Sequence, residues 1–334
     1  MKITITDIAK DTGLSLATIS KYLNHKKVLP ENRILIENSI EKLGYTPNRI
    51  AQGLRAEKTN TIAIVIPSLS NYFWGPITTY IETTLRERGY RSIVYTISSD
   101  FQRQQYVINH ILNNKVDGVI AVVSYWTEQA LSTLHKHAIP VVFLDQITNA
   151  LQSDYVTSDN YQGGYTAGEY LIRHNHKKIG FIAGLKDSYT IQERTRGFLS
   201  AIKNAGLPLT PEYYSYENED ASNGKEQIQK LLRSSSFPTA LFFCSLELCL
   251  DGIATLLDAG FKIPQDVSII SFDDDIIFSS IRPHITVIRQ NLQEIGKQAA
   301  LLLLHRLENN NDTSSTKQIL VPTNLIERDS VHQL

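Results

Sequence analysis

The chain has 334 residues, 42% of them hydrophobic, with 33 basic against 34 acidic side chains and a formal net charge of −1. That is longer than one average domain and apolar enough for more than one core, so at least two domains are expected. The near-zero total argues by itself for neither a polyanion binder nor a membrane-surface protein, but it conceals an asymmetry. Residues 1–60 hold seven Lys and three Arg against two Asp and four Glu, a surplus of four positive charges, and the remainder carries −5. Positive charge lies where a polyanion-binding module would need it.

Cys244 and Cys249 have four residues between them in an apolar stretch with no His or Cys cluster nearby. That pattern fits neither a disulfide framework nor a zinc site, so buried free thiols in a reducing cytoplasm are expected. Met1-Lys2-Ile3-Thr4 is followed at once by charged residues, not by an apolar run with a cleavage site. No stretch reaches the roughly 18 apolar residues of a spanning helix, so a cytoplasmic protein without membrane association is expected.

In chain order, residues 4–12 bring Ile5, Ile8 and Ala9 to one face, with Thr4 and Asp7 at the S/T-x-x-D/E spacing that closes a helix's first turn. Gly13 breaks the pattern. Ser15 offers a second cap, and 16–23 predict a helix with Ile19, Tyr22 and Leu23 inward and Ala17 and Lys21 outward. A third helix begins near Pro30, runs through Ile34, Ile36, Ile40 and Leu43, and stops at Gly44, where a left-handed cap is expected. Tyr45-Thr46-Pro47-Asn48 reads as an exit turn. Residues 48–56 suit one or two helical turns, but so short a segment containing Gly53 is marginal alone and reads as a hinge that folds against a partner.

From Thr61 onward, short apolar strands alternate with amphipathic helices, the pattern of a parallel sheet covered on both faces. Strands are predicted at 61–66, 92–97, 118–123, 140–144, 178–183, 239–243 and 267–272, and helices at 77–88, 162–174, 194–205 and 293–307. Such a sheet binds ligands beyond the carboxyl ends of its strands. The low-complexity stretch 309–315 reads as a surface loop.

The second helix has the composition of a DNA-reading element. A helix-turn-helix directs the amino-terminal part of its second helix at base edges, here Leu16, Ala17 and Lys21. Lys21 can donate to guanine O6 and N7, and Leu16 and Ala17 offer apolar contact to a thymine methyl. Ser15, Thr18, Ser20 and Asn24 supply hydroxyl and amide groups suited to phosphate oxygens, as does Thr4. A solvated helix surface is the alternative for each residue alone, but cap, turn, third helix and positive charge coincide.

These residues carry a resemblance. Ile5-Thr6-Asp7-Ile8-Ala9, Gly13-Leu14-Ser15, Ala17-Thr18-Ile19-Ser20-Lys21-Tyr22-Leu23-Asn24, Leu43-Gly44-Tyr45-Thr46-Pro47-Asn48 and Ala51-Gln52-Gly53-Leu54-Arg55 resemble the lactose/galactose repressor family. The resemblance implies an α/β protein with a small all-α helix-turn-helix headpiece at 1–46 and a hinge helix and linker at 47–59. It implies a two-lobed periplasmic-binding-protein-like parallel α/β domain at 60–334 for effector binding and dimerisation. The lobes would take 60–160 with 291–325, and 161–290. The hinge would fold on operator DNA, contacting it through Asn48, Arg49, Ala51 and Gln52, with Leu54 of each subunit as an apolar wedge in the minor groove. Lys21 stands where an Arg is usual, and Leu29 where the family prefers a small capping residue.

The large domain is also similar to periplasmic sugar-binding proteins, whose lobes close on a ligand. Pro67-Ser68-Leu69-Ser70-Asn71-Tyr72-Phe73-Trp74 resembles the family's Asn-Pro-Phe-Phe loop, which makes Phe73 and Trp74 candidates for ring stacking, with core packing as the alternative. Asp145, Arg194, Asp273 and Gln290 match effector-binding positions, where charged groups at strand ends fix hydroxyls or carboxylates. Ser245-Leu246 replaces the usual Asn-Asp pair, so the contacts of the pocket, at Ser245 and through Tyr125, Trp126 or Tyr189, are expected to differ.

The expected function is a sequence-specific transcriptional regulator, a homodimeric repressor on a near-palindromic operator, controlled by a small molecule, a sugar or sugar derivative. A solute-binding receptor without a DNA role, or a regulator answering to a nucleobase or a protein co-effector, are the alternatives. No nucleophile elbow, P-loop, metal-spaced His pair or post-strand G-x-G-x-x-G is present, so neither catalysis, a metal nor a cofactor is expected.

Overall fold

A computed structural model describes residues 3–23, 26–45, 58–122, 124, 126–146, 154–217, 223–234, 236–309 and 316–334. Two compact units emerge, Met1–Thr59 and Asn60–Leu334. The hinge expectation, with Asn48, Arg49, Ala51, Gln52 and Leu54, lies outside the described residues, as do Asn24, Tyr125 and the loop at 310–315.

In the small unit, α1 (Ile5–Thr12), α2 (Leu16–Leu23) and α3 (Pro30–Leu43) each contribute one fully buried isoleucine, Ile8, Ile19 and Ile36. Leu14, Tyr22, Leu23, Ile40, Leu43 and Tyr45 pack around them. At the start of α1, Asp7 Oδ2 accepts from the Thr4 backbone N–H at 2.8 Å and from its hydroxyl at 2.7 Å. Ser15 Oγ accepts from the Thr18 N–H at 3.2 Å and so caps α2. Gly44 ends α3 at φ 64°, a conformation costly for any residue with a Cβ, and Tyr45 N–H closes the turn on Ile40 O at 3.0 Å. Ile34 lies about 200° round the helix from Ile36 and is 59% exposed. Leu29 stands at the cap of α3 with no side-chain acceptor to offer, in keeping with the missing capping residue noted in the sequence.

The large unit holds β1 (Thr61–Ile66), α4 (Trp74–Glu87), β2 (Arg91–Thr96), α5 (Phe101–Asn113), β3 (Gly118–Val122), α6 (Glu128–Lys136), β4 (Val141–Leu144) and β5 (Asp154–Ser158). Then come α7 (Asn160–Arg173), β6 (Ile179–Leu185), α8 (Tyr189–Asn204), β7 (Tyr214–Glu217), α9 (Gly224–Leu232), β8 (Ala240–Phe243), α10 (Leu246–Asp258) and β9 (Ser268–Phe272). The chain finishes with α11 (Ile276–Ser280), β10 (Thr286–Arg289), α12 (Leu292–Glu308), β11 (Gln318–Val321) and β12 (Asn324–Ile326).

Two six-stranded sheets result, ordered β11-β5-β4-β3-β1-β2 and β12-β10-β9-β8-β6-β7. Pairings are parallel except β10 with β12. Both sheets are buried on two faces, which is why their central strands read as continuous apolar runs. In β1, Ile62, Ile64 and Ile66 pack towards α4 and α12, and Ala63 and Val65 towards α5 and α6. Each such isoleucine contributes roughly 2 kcal/mol of burial.

The chain crosses between the sheets three times, after β5, after β10 and between β11 and β12. The third crossing was not foreseen: β12 and the segment behind it belong to the second sheet, where Ile269 N–H donates to Ser330 O at 2.8 Å. A first lobe running to 325 therefore takes in residues of a strand, Asn324–Ile326, that returns to the second sheet. The crossings are tied together by a Ser158 Oγ to Gln290 Oε1 hydrogen bond and by Asp159 N–H donating to Val321 O at 2.8 Å. Arg306 of α12 fastens to β5 through a buried bidentate pair with Asp154, both bonds 2.7 Å. Cys244 and Cys249 are buried free thiols, and burial pushes both well above the usual thiol range.

Candidate functional site

The two sheets share one strand order, so β4 and β9 are equivalent, and an aspartate follows each. Asp145 and Asp273 both adopt left-handed backbone, φ 65° and 74°, a region that Asp tolerates better than most residues. Each N–H donates sideways to the neighbouring strand at 3.0 Å, Asp145 to Val156 O and Asp273 to Ile288 O. The turn after each apolar strand thereby places one carboxyl from each lobe at the cleft.

The cleft has a volume of about 360 Å³, within the range of small-molecule sites. Phe73, Trp74, Asp145, Arg194, Ser245, Asp273 and Gln290, all singled out in the sequence, line it together. Arg194 is 5% exposed. Its Nε donates to Asn160 Oδ1 at 2.8 Å, its Nη1 donates to Cys244 O at 2.6 Å, and its guanidinium lies 3.7 Å over the Phe272 ring. Asp273 Oδ2 is 3.9 Å from Nη1, and Asp273 Oδ1 accepts from Gln290 Nε2 at 2.5 Å. Burial pushes Asp145 up to about 6; Arg194 opposes the shift and Asp273 adds to it. Asp273 is raised by burial too, with Arg194 and the Gln290 bond opposing and Glu247 adding.

Arg194 owes its position to two glycines. A Cβ on Gly164 of α7 would lie 2.1 Å from Arg194 O, and one on Gly197 of α8 would lie 1.9 Å from Tyr161 O. The two helices touch backbone to backbone, which brings Arg194 against Asn160 at the start of α7.

The aromatic residues divide. Trp74 is 9% exposed and belongs to the first sheet's core, with Phe73 set edge-on against it at 4.7 Å. Tyr72, half exposed, offers the freer ring at the cleft. Trp126 is buried on the other face of the first sheet, and neither it nor Tyr189 lines the cleft. Ser245 caps α10, accepting from Leu248 N–H at 3.4 Å. Glu247, one residue after Leu246, brings an acid to the cleft.

Sequence reasoning missed the polar residues that meet only when the lobes face each other. Asn71 Nδ2 donates to Glu247 Oε1 across the cleft at 3.0 Å. Gln146 Nε2 donates to Ser188 Oγ at 3.1 Å, and Gln146 Oε1 accepts from Tyr189 N–H at 3.2 Å. The signal available was position: each lies in the loop or first helical turn after an apolar strand.

On the small unit, Thr4, Ser15, Leu16, Ala17 and Lys21 are exposed, and Thr18 and Ser20 half-buried. Leu16 is 49% exposed, unusual for a leucine beginning a helix whose next turn reaches the core. Thr4 gives its hydroxyl proton to Asp7, and the Ser15 and Thr18 hydroxyls are 2.9 Å apart, so Thr4 and whichever of Ser15 and Thr18 donates within that pair must give up an internal bond to donate to a phosphate.

A basic helix-turn-helix unit followed by a two-lobed cleft unit defines a ligand-responsive DNA-binding regulator. Residues 4–48 match the model of bacterial regulatory proteins of the lacI family, and 169–331 match the periplasmic binding protein-like domain. The catabolite control protein A of Priestia megaterium is 32% identical over 96% of this chain and 97% of its own length. The regulator CelR, solved with cellobiose, is 25% identical, with a TM-score of 0.75 over 98% of this chain and 100% of that one. The lac repressor dimer bound to operator and the anti-inducer ONPF shares the fold, at 22% identity and a TM-score of 0.85 over 99% and 100% of the two chains.

The chain belongs to the lacI family: it is an effector-controlled DNA-binding transcriptional regulator, not an enzyme. Among the described residues no helix is long and apolar enough to cross a membrane.

Proposed function

We propose that this chain acts in the cytoplasm as a homodimeric repressor, binding a near-palindromic operator through two headpieces and answering to a sugar or sugar derivative in the cleft. Lys21, Leu16 and Ala17 read base edges; Thr4, Ser15, Thr18 and Ser20, with Asn24, hold phosphates; and the hinge residues Asn48, Arg49, Ala51, Gln52 and Leu54 engage the minor groove. Phe73, Asp145, Arg194, Ser245, Asp273 and Gln290 contact effector, with Tyr125 as a further candidate and Trp74 backing Phe73 from the core.

The observation that carries the reading is the pair of equivalent carboxyls, one per lobe, around a fixed guanidinium in a cleft joined to a basic headpiece. A ligand that spans both lobes stabilises one arrangement of them and shifts operator affinity, a coupling of about 1–3 kcal/mol in typical allosteric proteins. The operator of the lac repressor dimer and the cellobiose of CelR are ligands of the same two kinds in related folds. One headpiece reads too few bases for specificity, which a two-fold dimer corrects.

Footprinting on genomic fragments is expected to show a protected palindrome whose affinity falls steeply with salt, because phosphate contacts release counterions. A flat salt dependence, or no retarded fragment at low ionic strength, overturns the proposal.

A further inference from the structure

Four carboxyls border the cleft from three stretches of chain: Asp145 behind β4, Glu247 in the first turn of α10, and Asp273 with Asp274 behind β9. Asp274 is matched by two guanidiniums, Arg289 Nη2 at 2.6 Å and Arg328 Nη2 at 2.8 Å. Asp145 and Asp273 are offset by Arg194, the single basic side chain among the described lining residues, and Glu247 has no basic partner among them. The Arg194 Nε and Nη1 donate to Asn160 and Cys244, and Asp273 lies beside it. Glu247 is exposed at the cleft, hydrogen-bonded to Asn71 of the opposite lobe.

An anion entering this cleft would meet carboxylates on both lobes, where burial and a low effective dielectric strengthen repulsion. A ligand rich in O–H or N–H donors finds acceptors on both sides and a half-exposed ring, Tyr72, at the edge. Burial makes the Asp145 and Asp273 carboxyls hold protons more tightly than usual even though Gln290 donates to Asp273 at 2.5 Å, so further O–H or N–H donors from a ligand would stabilise both carboxylates.

We infer that the effector is a non-anionic, donor-rich ring, a neutral or amine-bearing sugar without phosphate or carboxylate, and that Glu247 is a specificity-determining residue that rejects anionic analogues. The inference rests on the effector-binding reading given above.

The test titrates the full-length protein, followed by calorimetry and thermal shift, with matched mono- and disaccharides in neutral, aminated, phosphorylated and carboxylated forms. A neutral or aminated member is expected to bind at least about tenfold more tightly than its phosphorylated counterpart. Glu247→Lys is expected to narrow that ratio several-fold; because it also gives up the Asn71 hydrogen bond and puts a cation in the first turn of α10, a small fall in the unligated melting temperature is expected with it. A phosphorylated or carboxylated sugar that binds as tightly as its parent overturns the inference and leaves the effector reading standing. So does a ratio unmoved by Glu247→Lys, which removes Glu247 from the specificity role. Binding by no member at millimolar concentration overturns both, while operator retardation by the unligated protein tests the DNA reading independently.

Discussion

Replacing Gly164 with alanine pushes directly on Arg194, the arginine at the cleft. The new Cβ would lie 2.1 Å from Arg194 O and 3.0 Å from Arg194 Cα, so α8 must withdraw by about 1 Å to reach an allowed contact. The Arg194 bonds to Asn160 Oδ1 and Cys244 O, 2.8 and 2.6 Å, then stretch to about the length at which hydrogen bonding fails. Overpacking typically costs about 1–3 kcal/mol, and weakening bonds to a buried guanidinium adds roughly 1.5–3 kcal/mol, a total on the order of 4 kcal/mol. At roughly 2–4 °C per kcal/mol, the large unit should melt about 10 °C lower. Thermal unfolding by circular dichroism, with effector titration on the folded variant, measures both consequences: a lower midpoint and an affinity reduced by at least about tenfold. A variant that melts within about 2 °C of the parent and binds effector normally would show that the α7–α8 contact does not position Arg194.

Lys21→Ala is expected to weaken operator binding by about 1–3 kcal/mol, read by gel retardation, with an unchanged circular dichroism spectrum because the side chain is exposed. Asp154→Asn leaves Arg306 without its carboxylate in a site where the two side chains are 3% and 9% exposed, and urea unfolding should show a loss of about 3–5 kcal/mol; less than about 1 kcal/mol would contradict the assigned role. Asp145, raised from 3.8 to about 6, holds its proton more tightly folded than unfolded, so its contribution to stability is complete below 3.8 and lost as pH rises through about 6. Asp145→Asn should therefore flatten part of the fall in unfolding free energy across that window; Asp273, raised in the same direction, keeps the rest. Parallel curves for the two proteins would exclude a raised Asp145.

Strands buried on both faces were plain in the sequence because nothing but continuous apolar character survives there, as Thr61–Ile66 and Ala240–Phe243 show. Asp154–Ser158, Tyr214–Glu217, Thr286–Arg289, Gln318–Val321 and Asn324–Ile326 were missed: three to five residues of mixed polarity whose strand character comes from their neighbours' hydrogen bonds. Phe101–Asn113, Glu128–Lys136, Gly224–Leu232 and Leu246–Asp258 were not singled out, although Glu247, Asp251, Ala254 and Asp258 do mark an outer stripe on the last of them. At the cleft, an acid after an apolar strand was visible as chemistry. Arg194 and Gln290 were reached through family resemblance, because nothing local separates them from surface residues. Asn71, Gln146, Ser188 and Glu247 are ordinary loop and cap residues until the lobes bring them face to face. Phe73 and Trp74 both read as stacking candidates with core packing as the alternative, and for Trp74 its 9% exposure decides for the core.

Three parallel passages of chain between the lobes have a mechanical consequence. A single strap would let the lobes twist, slide or splay, but three lying side by side, stitched by Ser158 to Gln290 and Asp159 to Val321, resist all of these more than bending about their common line. The effector then works against one soft coordinate, as a hand works a door on three hinges, and nearly all of its preference for one lobe arrangement goes into a single swing instead of being dispersed among many.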